Sequence, residues 1–345
     1  MLSLGVNIGH DRGAALVKDG EVLCAVSLER LDRNKHSVGV VLPYQAMEYC
    51  LRVGNYAYAD LDVIVYNYPH HNKAYPVLDK VKAELLRLCN RVVFVPHHLA
   101  HAYSVFYASP FDESVVLVCD GAGNKYSGDT KEFYKNWHWG ISANEQEIEA
   151  ESAYYFTNED KKLTYKRWQT RTGNNQRLSL GRMYWEACKH IGMGIFDGGK
   201  LMGLAPYGKR LTEPLNIVKQ NGGDFSIDLT SIKSLPSGSF EENAKTAWII
   251  QNSLEETLVW LANMLYQKNP FPNICISGGV GLNSVSNERV LRESPFENIF
   301  VAPASNDSGV ALGCAYFGYY QVLGGRNRKP YKTYAGREYG KNRNC

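Results

Sequence analysis

Three histidines stand within five residues in Pro96-His97-His98-Leu99-Ala100-His101-Ala102. If this segment is helical, His97 and His101 at i and i+4 share a face, the spacing at which two imidazoles hold one metal ion. His98 falls on another face and is read as structural. The same cluster also suits a helix that histidines merely cap and line. Two carboxylates favour the metal. Asp120 closes an apolar run and is followed by Gly121 and Gly123, an arrangement that bares a strand-end side chain and backbone amides to a ligand. Asp307, in Ala304-Ser305-Asn306-Asp307-Ser308-Gly309, precedes a run of small residues expected to be helical, where an aspartate serves equally as N-cap. Two imidazoles and two carboxylates suit iron, manganese or zinc, and residue types alone do not rank them.

A second element of chemistry is Gly278-Gly279-Val280-Gly281-Leu282-Asn283, between an apolar run and a helical one. Glycines there let the backbone approach a phosphate, and the helix start supplies amides. The run matches neither GxGxxG nor the P-loop, and glycine turns after strands are common. The segment at residues 198–208, GGKLMGLAPYG, reads as a loop.

The elements that must position these residues are legible in the apolar pattern. Residues 2–9, 14–17 and 21–28 read as strands, and Asp19-Gly20 between the last two is a hairpin signal. Residues 63–66 and 92–95 read as buried strands, and residues 43–53, 80–88 and 98–108 as helices, the last following Pro96. The pattern then restarts. Residues 114–119, 137–141, 148–156, 274–277 and 300–302 read as strands, and residues 181–191, 241–267 and 309–319 as helices. Two β-first halves predict two α/β domains, at residues 1–112 and 113–325, with a polar tail or connector at 326–345.

Composition narrows the class. The chain has 345 residues, 44% of them hydrophobic, which suits two cores of ordinary size. A net charge of +3 excludes a global polycation. The charge is uneven: Lys161, Lys162, Lys166, Arg167, Arg171 and Arg177 are interleaved with Tyr165 and Trp168, ingredients of a single-stranded nucleic-acid surface and equally of a solvated amphipathic loop. Eight cysteines show no CxxC, and several lie in apolar runs, as free thiols of a reducing cytoplasm do. No apolar run reaches the ~20 residues of a membrane helix, and no signal peptide is evident.

Six segments together carry a family resemblance: GHDRGAALVKDGEVLCAVSLERLDRNKH at 9–36, HHLAHA at 97–102, VCDGAG at 118–123, GKLMGLAPYG at 199–208, SGGVGLN at 277–283 and NDSGVALG at 306–313. In this order they resemble the amino-terminal, TsaD-like domain of the O-carbamoyltransferases that include nodulation-factor, tobramycin and cephem enzymes. The MGLAPYG element is specific to that group. The resemblance implies the actin-like ATPase superfold, two duplicated RNase H-like lobes, and one divalent metal on His97, His101, Asp120 and Asp307, with iron ahead of manganese or zinc. It places His10 as the base acting on the acceptor hydroxyl, Lys35 as an active-site cation and Asp197 as an acceptor-side acid. Gly121, Gly123, Lys200, Gly278, Gly279, Gly281, Asn283 and Asn306 are expected around the adenylate. A turn histidine and a solvated lysine are the plain alternatives for His10 and Lys35.

The implied reaction moves a carbamoyl group from carbamoyladenylate, an activated mixed anhydride derived from ATP, to an acceptor hydroxyl. The acceptor classes left open are a small molecule, a sugar and a hydroxymethylated nucleotide or DNA. Full-length members carry a YrdC-like domain that makes the adenylate. The motifs here stop before it, and Tyr334-Ala335-Gly336-Arg337-Glu338-Tyr339 resembles the start of its connector, so the expectation is that a separate YrdC-like protein supplies the donor. Two alternatives compete: a TsaD-like tRNA adenosine threonylcarbamoyltransferase, against which MGLAPYG argues, and a non-catalytic partner-binding subunit, against which the retained ligand set argues. No membrane partner is expected.

Overall fold

A computed structural model of the chain describes residues 1–68, 75–136, 143–144, 147–170, 177–210, 212–213 and 215–336. The strand expected at 137–141, Arg171 and the last residues of the tail and connector lie outside the described residues. The chain divides into two compact units, one of Met1–Pro110 with Ala302–Cys345, the other Phe111–Val301.

The first unit is built on β1 (Leu2–Asn7), β2 (Gly13–Lys18), β3 (Glu21–Ser27), β4 (Val63–Asn67) and β5 (Val92–Phe94), in the order β3-β2-β1-β4-β5. The first three form an antiparallel meander, whereas β1, β4 and β5 run parallel. Asp19 and Gly20 take φ of 48° and 86° in the two-residue turn between β2 and β3, the backbone an Asp-Gly hairpin demands. Strands β1 and β4 are buried along their whole length, and β4 reads as an apolar run up to Asn67. Their register sets Asn7 beside Asn67, both fully buried, at the carboxyl ends of the parallel pair.

Helix His97–Ala108 follows β5 and is buried on every side. Against it and against β1 lies the helix Val310–Phe317. Two glycines permit that approach: a Cβ at Gly313 would stand 1.8 Å from the Ala100 carbonyl oxygen, and one at Gly5 2.0 Å from that of Ala311. This packing corrects the contiguous division expected at 113–325. The segment from Ala302 onward returns to the first unit, drawn there by a helix apolar and small enough to fill its core.

The second unit repeats the plan. Its strands β6 (Glu113–Cys119), β7 (Ile148–Thr157) and β8 (Lys161–Gln169) form the meander, and β11 (Asn273–Ser277) and β12 (Asn298–Val301) the parallel part, in the order β12-β11-β6-β7-β8; β9 (Val218–Asn221) and β10 (Asp224–Ile227) form a separate hairpin. Two sheets of one topology are the duplication that the sequence pattern predicts. Helix Phe240–Lys268 backs this sheet and opens on a Ser239/Glu242 capping box.

Two local expectations fail. The glycine-rich stretch read as a loop is the helix Gly198–Gly208, anchored where Gly208 meets the Ala244 carbonyl too closely for any side chain. The basic stretch at 161–169 is β8, pairing along β7. Among the described residues no helix is long and apolar enough to cross a membrane, and Cys24, Cys50, Cys89, Cys119, Cys188, Cys275 and Cys314 are buried thiols outside any disulfide.

Candidate metal centre and its surroundings

Within the first unit, His97, His101 and Asp307 meet as the i, i+4 reading requires, with one ligand atom from each lying within 4.8 Å of the others. Both imidazoles are fully buried and Asp307 is nearly so. His97 Nε2 stands 3.2 Å from His101 Nε2, and these atoms are 3.5 and 3.4 Å from Asp307 Oδ1. Helix geometry supplies the two histidines. The Val310–Phe317 helix brings Asp307, in the turn before it, to their level.

Asparagines missing from the sequence reading tie the cluster down. Asn7 Nδ2 donates to the carbonyl oxygens of His10, Asp11 and Asp307 at 3.1, 3.1 and 3.2 Å, joining the loop after β1 to the Asp307 turn. Asn67 Oδ1 lies 2.9 Å from His97 Nδ1. The available signal was a polar residue closing a buried apolar strand, at the strand ends where ligands of open α/β sheets gather.

The donor set fits a divalent cation. Oδ2 of Asp307 and Oδ1 of Asn7 are buried acceptors with no hydrogen-bond donor among the described residues. Burial alone pushes the Asp307 carboxyl up, yet His10, His97 and His101 together hold it well below the usual carboxylate range. Imidazole and carboxylate ligands in a closed pocket suit iron, manganese or zinc.

His10 borders this cluster. Its Nδ1 lies 3.0 Å from Asp11 Oδ2, and its Nε2 is 3.2 Å from Asp307 Oδ2 without the alignment of a hydrogen bond. A carboxylate at Nδ1 accepts, so Nδ1 carries a proton. Asp11 Oδ1 is in turn 3.0 Å from His36 Nδ1. Asp11, His36 and Ser37 take φ of 48°, 62° and 36°, a left-handed backbone that the Arg12 guanidinium holds through Ser37 O and Oγ at 2.6 and 3.1 Å. Lys35 is exposed on the turn before His36.

The remaining expected residues, Asn306 apart, belong to the second unit. Asp120 follows β6, and its Oδ1 accepts the Gly279 amide at 2.9 Å. Gly278 has φ of 90° and would place a Cβ 2.1 Å from the Cys119 carbonyl oxygen, so only glycine fits. The expectation of bare amides needs correcting. Those of Gly123, Gly279 and Gly281 donate within the chain, to Glu149 O, Asp120 Oδ1 and Gly278 O. Asn283 is likewise engaged: Oδ1 caps the helix Ser284–Glu293 through the Ser286 amide, and Nδ2 donates to Tyr184 and Gln251. Gly121 is buried, its carbonyl accepting from Gln169 and Ser179. Asp197 precedes the Gly198–Gly208 helix and pairs with exposed Lys200 at 2.9 Å. Asn306, in the first unit, is half-buried and accepts from Ser308.

The basic stretch turns inward. Lys166 contacts Glu149, donates to Ser152 at 2.8 Å and lies over the Trp168 ring; Arg167 pairs with Glu151 at 2.8 Å and donates to Leu178 and Phe225 carbonyls. Glu149 also accepts the Asn124 amide and Glu151 the Leu180 amide, so these pairs fix the Asp120–Asn124 loop and the helix beside it. The Lys166 and Arg167 side chains are thereby withdrawn from the surface.

A family model described as carbamoyltransferase N-terminus matches residues 3–74 and 70–316. Nodulation protein NolNO of Sinorhizobium fredii is 30% identical over 344 residues, covering 89% of this chain and 46% of that protein. The 3'-hydroxymethylcephem-O-carbamoyltransferase of Amycolatopsis lactamdurans is 24% identical, covering 91% and 59%. The chain thus spans about half the length of the curated relatives it matches. Among solved structures, T. kodakarensis HypF has a TM-score of 0.60 at 15% identity, covering 94% of this chain and 48% of that one. Component A of the Acidaminococcus fermentans (R)-2-hydroxyglutaryl-CoA dehydratase has 0.52 at 15% identity, covering 94% and 99%. At such identity these likenesses show the fold alone, which is that of the actin-like ATPases.

Proposed function

The chain belongs to the carbamoyltransferase N-terminus family, and on that premise we propose that it is the transfer region of a metal-dependent O-carbamoyltransferase acting from carbamoyladenylate on an acceptor hydroxyl. The observation that carries the reading is the buried His97, His101 and Asp307 set with the less buried His10 at its edge. Asp120 is the fourth ligand by family resemblance, and iron, manganese and zinc all suit the set. A divalent metal bound there supplies Lewis acidity toward a phosphate or carbamoyl oxygen.

The chain's own part is to orient and to move a proton. Asp11 holds His10 with its lone pair on Nε2, and that atom takes the proton of the attacking hydroxyl. The hydroxyl oxygen bonds to the carbamoyl carbon as the bond from that carbon to the adenylate phosphate oxygen breaks. The products are a carbamate ester and AMP, with the proton on His10. Lys35, Asp197 and Lys200 are exposed or half-exposed and suit the acceptor side or the adenylate. Gly278 and Gly279 shape the turn expected against the nucleotide. The buried free thiols support a cytoplasmic location.

The test supplies synthetic carbamoyladenylate with a panel of hydroxyl acceptors: a hydroxymethylcephem, an aminoglycoside, a sugar and a hydroxymethylated nucleoside. Acceptor-dependent AMP release with a carbamate adduct by mass spectrometry is expected, lowered by about 10²–10⁴-fold in His10→Gln. A His10→Gln protein as active as wild type would remove the proposed base. Absence of acceptor-dependent release across the panel would count against transfer itself.

A further inference from the structure

We infer that Asn67, which contributes no ligand of its own, is a positioning residue that prepares His97 to bind the metal. The inference rests on the metal reading above and adds a residue to it. Asn67 ends β4 and is fully buried, as is His97. Its neighbours fix the orientation of its amide. Nδ2 lies 2.7 Å from the Val95 carbonyl oxygen, a contact that only a donor satisfies. Oδ1 is therefore the atom 2.9 Å from His97 Nδ1, and as an acceptor it requires the proton on Nδ1.

A neutral imidazole protonated at Nδ1 carries its lone pair on Nε2. That atom faces Asp307 Oδ1 at 3.5 Å and His101 Nε2 at 3.2 Å. A lone pair set against a carboxylate is repulsive unless a cation stands between them. The bond on the far side of the ring thus makes the near side a metal ligand, as outer partners of metal-binding histidines do. The strand register that pairs Asn67 with Asn7 fixes the amide, and the His97–Ala108 helix fixes the ring's backbone, so both partners sit on rigid elements.

The experiment measures Zn²⁺ and Mn²⁺ affinity by chelator competition on the full chain, with thermal unfolding recorded for each protein. Asn67→Leu, close in size but without an acceptor, should bind about 10–100-fold more weakly. Asn67→Asp, which keeps an oxygen for Nδ1, should recover most of that loss. Nitrogen-15 NMR of histidine-labelled, metal-free wild type should show His97 protonated at Nδ1. Unchanged affinity in a folded Asn67→Leu protein, while His97→Ala/His101→Ala has lost the metal, overturns the role of Asn67 alone. The same follows if Asn67→Asp loses as much as Asn67→Leu, or if wild-type His97 carries its proton on Nε2 and none on Nδ1. Equal affinity in wild type and the double histidine variant overturns the metal reading and this inference with it. Should Asn67→Leu not fold, the wild-type tautomer decides.

Discussion

Gly313→Ala should disable the metal cluster without touching a ligand. The residue lies in the Val310–Phe317 helix, and its added Cβ would stand 1.8 Å from the Ala100 carbonyl oxygen. The obstacle is backbone, so no side chain can swing aside. Real Cβ contacts stop near 3.0 Å, and the two helices must part by about 3.0 − 1.8 = 1.2 Å. Asp307, in the turn that leads into the moving helix, shifts relative to His97 and His101. Metal coordination tolerates about ±0.2 Å, so the displacement exceeds the tolerance several-fold. Overpacking costs about 1–3 kcal/mol, less than the ~5–15 kcal/mol by which a domain is stable. The expected protein is folded, melts lower and holds little metal. Calorimetry and elemental analysis on one preparation provide the assay. Gly203→Ala is the control, since nothing lies within 4 Å of a Cβ on that helical glycine. It should gain up to about 1 kcal/mol with metal content unchanged. A folded Gly313→Ala protein with wild-type metal would refute the reasoning.

Lys166→Met should leave Glu149 as a buried uncompensated carboxylate and destabilise the fold by about 3–5 kcal/mol, while Lys166→Met with Glu149→Leu recovers much of the loss; urea unfolding of the three proteins checks this, and a neutral single variant would contradict it. Hydrogen bonds from Arg289 and then Arg292 lower the Glu293 carboxyl from 4.5 to about 2. A depressed acid stabilises the fold above its unfolded value and loses that stabilisation as pH falls from 4.5 toward 2. With the side chain 34% exposed, solvent screening leaves it worth less than about 1 kcal/mol. Glu293→Gln should therefore melt slightly below wild type at pH 7 and converge with it near pH 2; a gap that widens in acid would contradict the assignment.

The parts of the fold carried by local pattern were legible in the sequence. Largely apolar runs marked β1, β4, β6 and β11, Asp19-Gly20 marked its hairpin, and the i, i+4 spacing marked His97 and His101. What escaped depends on tertiary context. Alternating Glu149 and Glu151 on β7 meet Lys166 and Arg167 on β8, and each charge alone looks like solvated surface until the strands pair. The return of the Val310–Phe317 helix to the first unit follows from glycines at 5 and 313, whose meaning appears only when the opposing carbonyls are in place. Asn7 and Asn67 stand out in the sequence only as polar residues at apolar runs, and their register makes them the supports of the cluster. Glycines at 123, 279 and 281 suggested free amides because local sequence does not show which internal acceptors they meet.

A metal ion held among His97, His101 and Asp307 is the central premise of the proposed transfer. Anomalous X-ray diffraction at the iron, manganese and zinc edges, on crystals of protein purified without chelator, measures this. The predicted result is one buried peak about 2.0–2.2 Å from an imidazole nitrogen of His97, one of His101 and a carboxylate oxygen of Asp307. A well-ordered cluster without a peak after soaking in each metal, or a peak held by other residues, would contradict it.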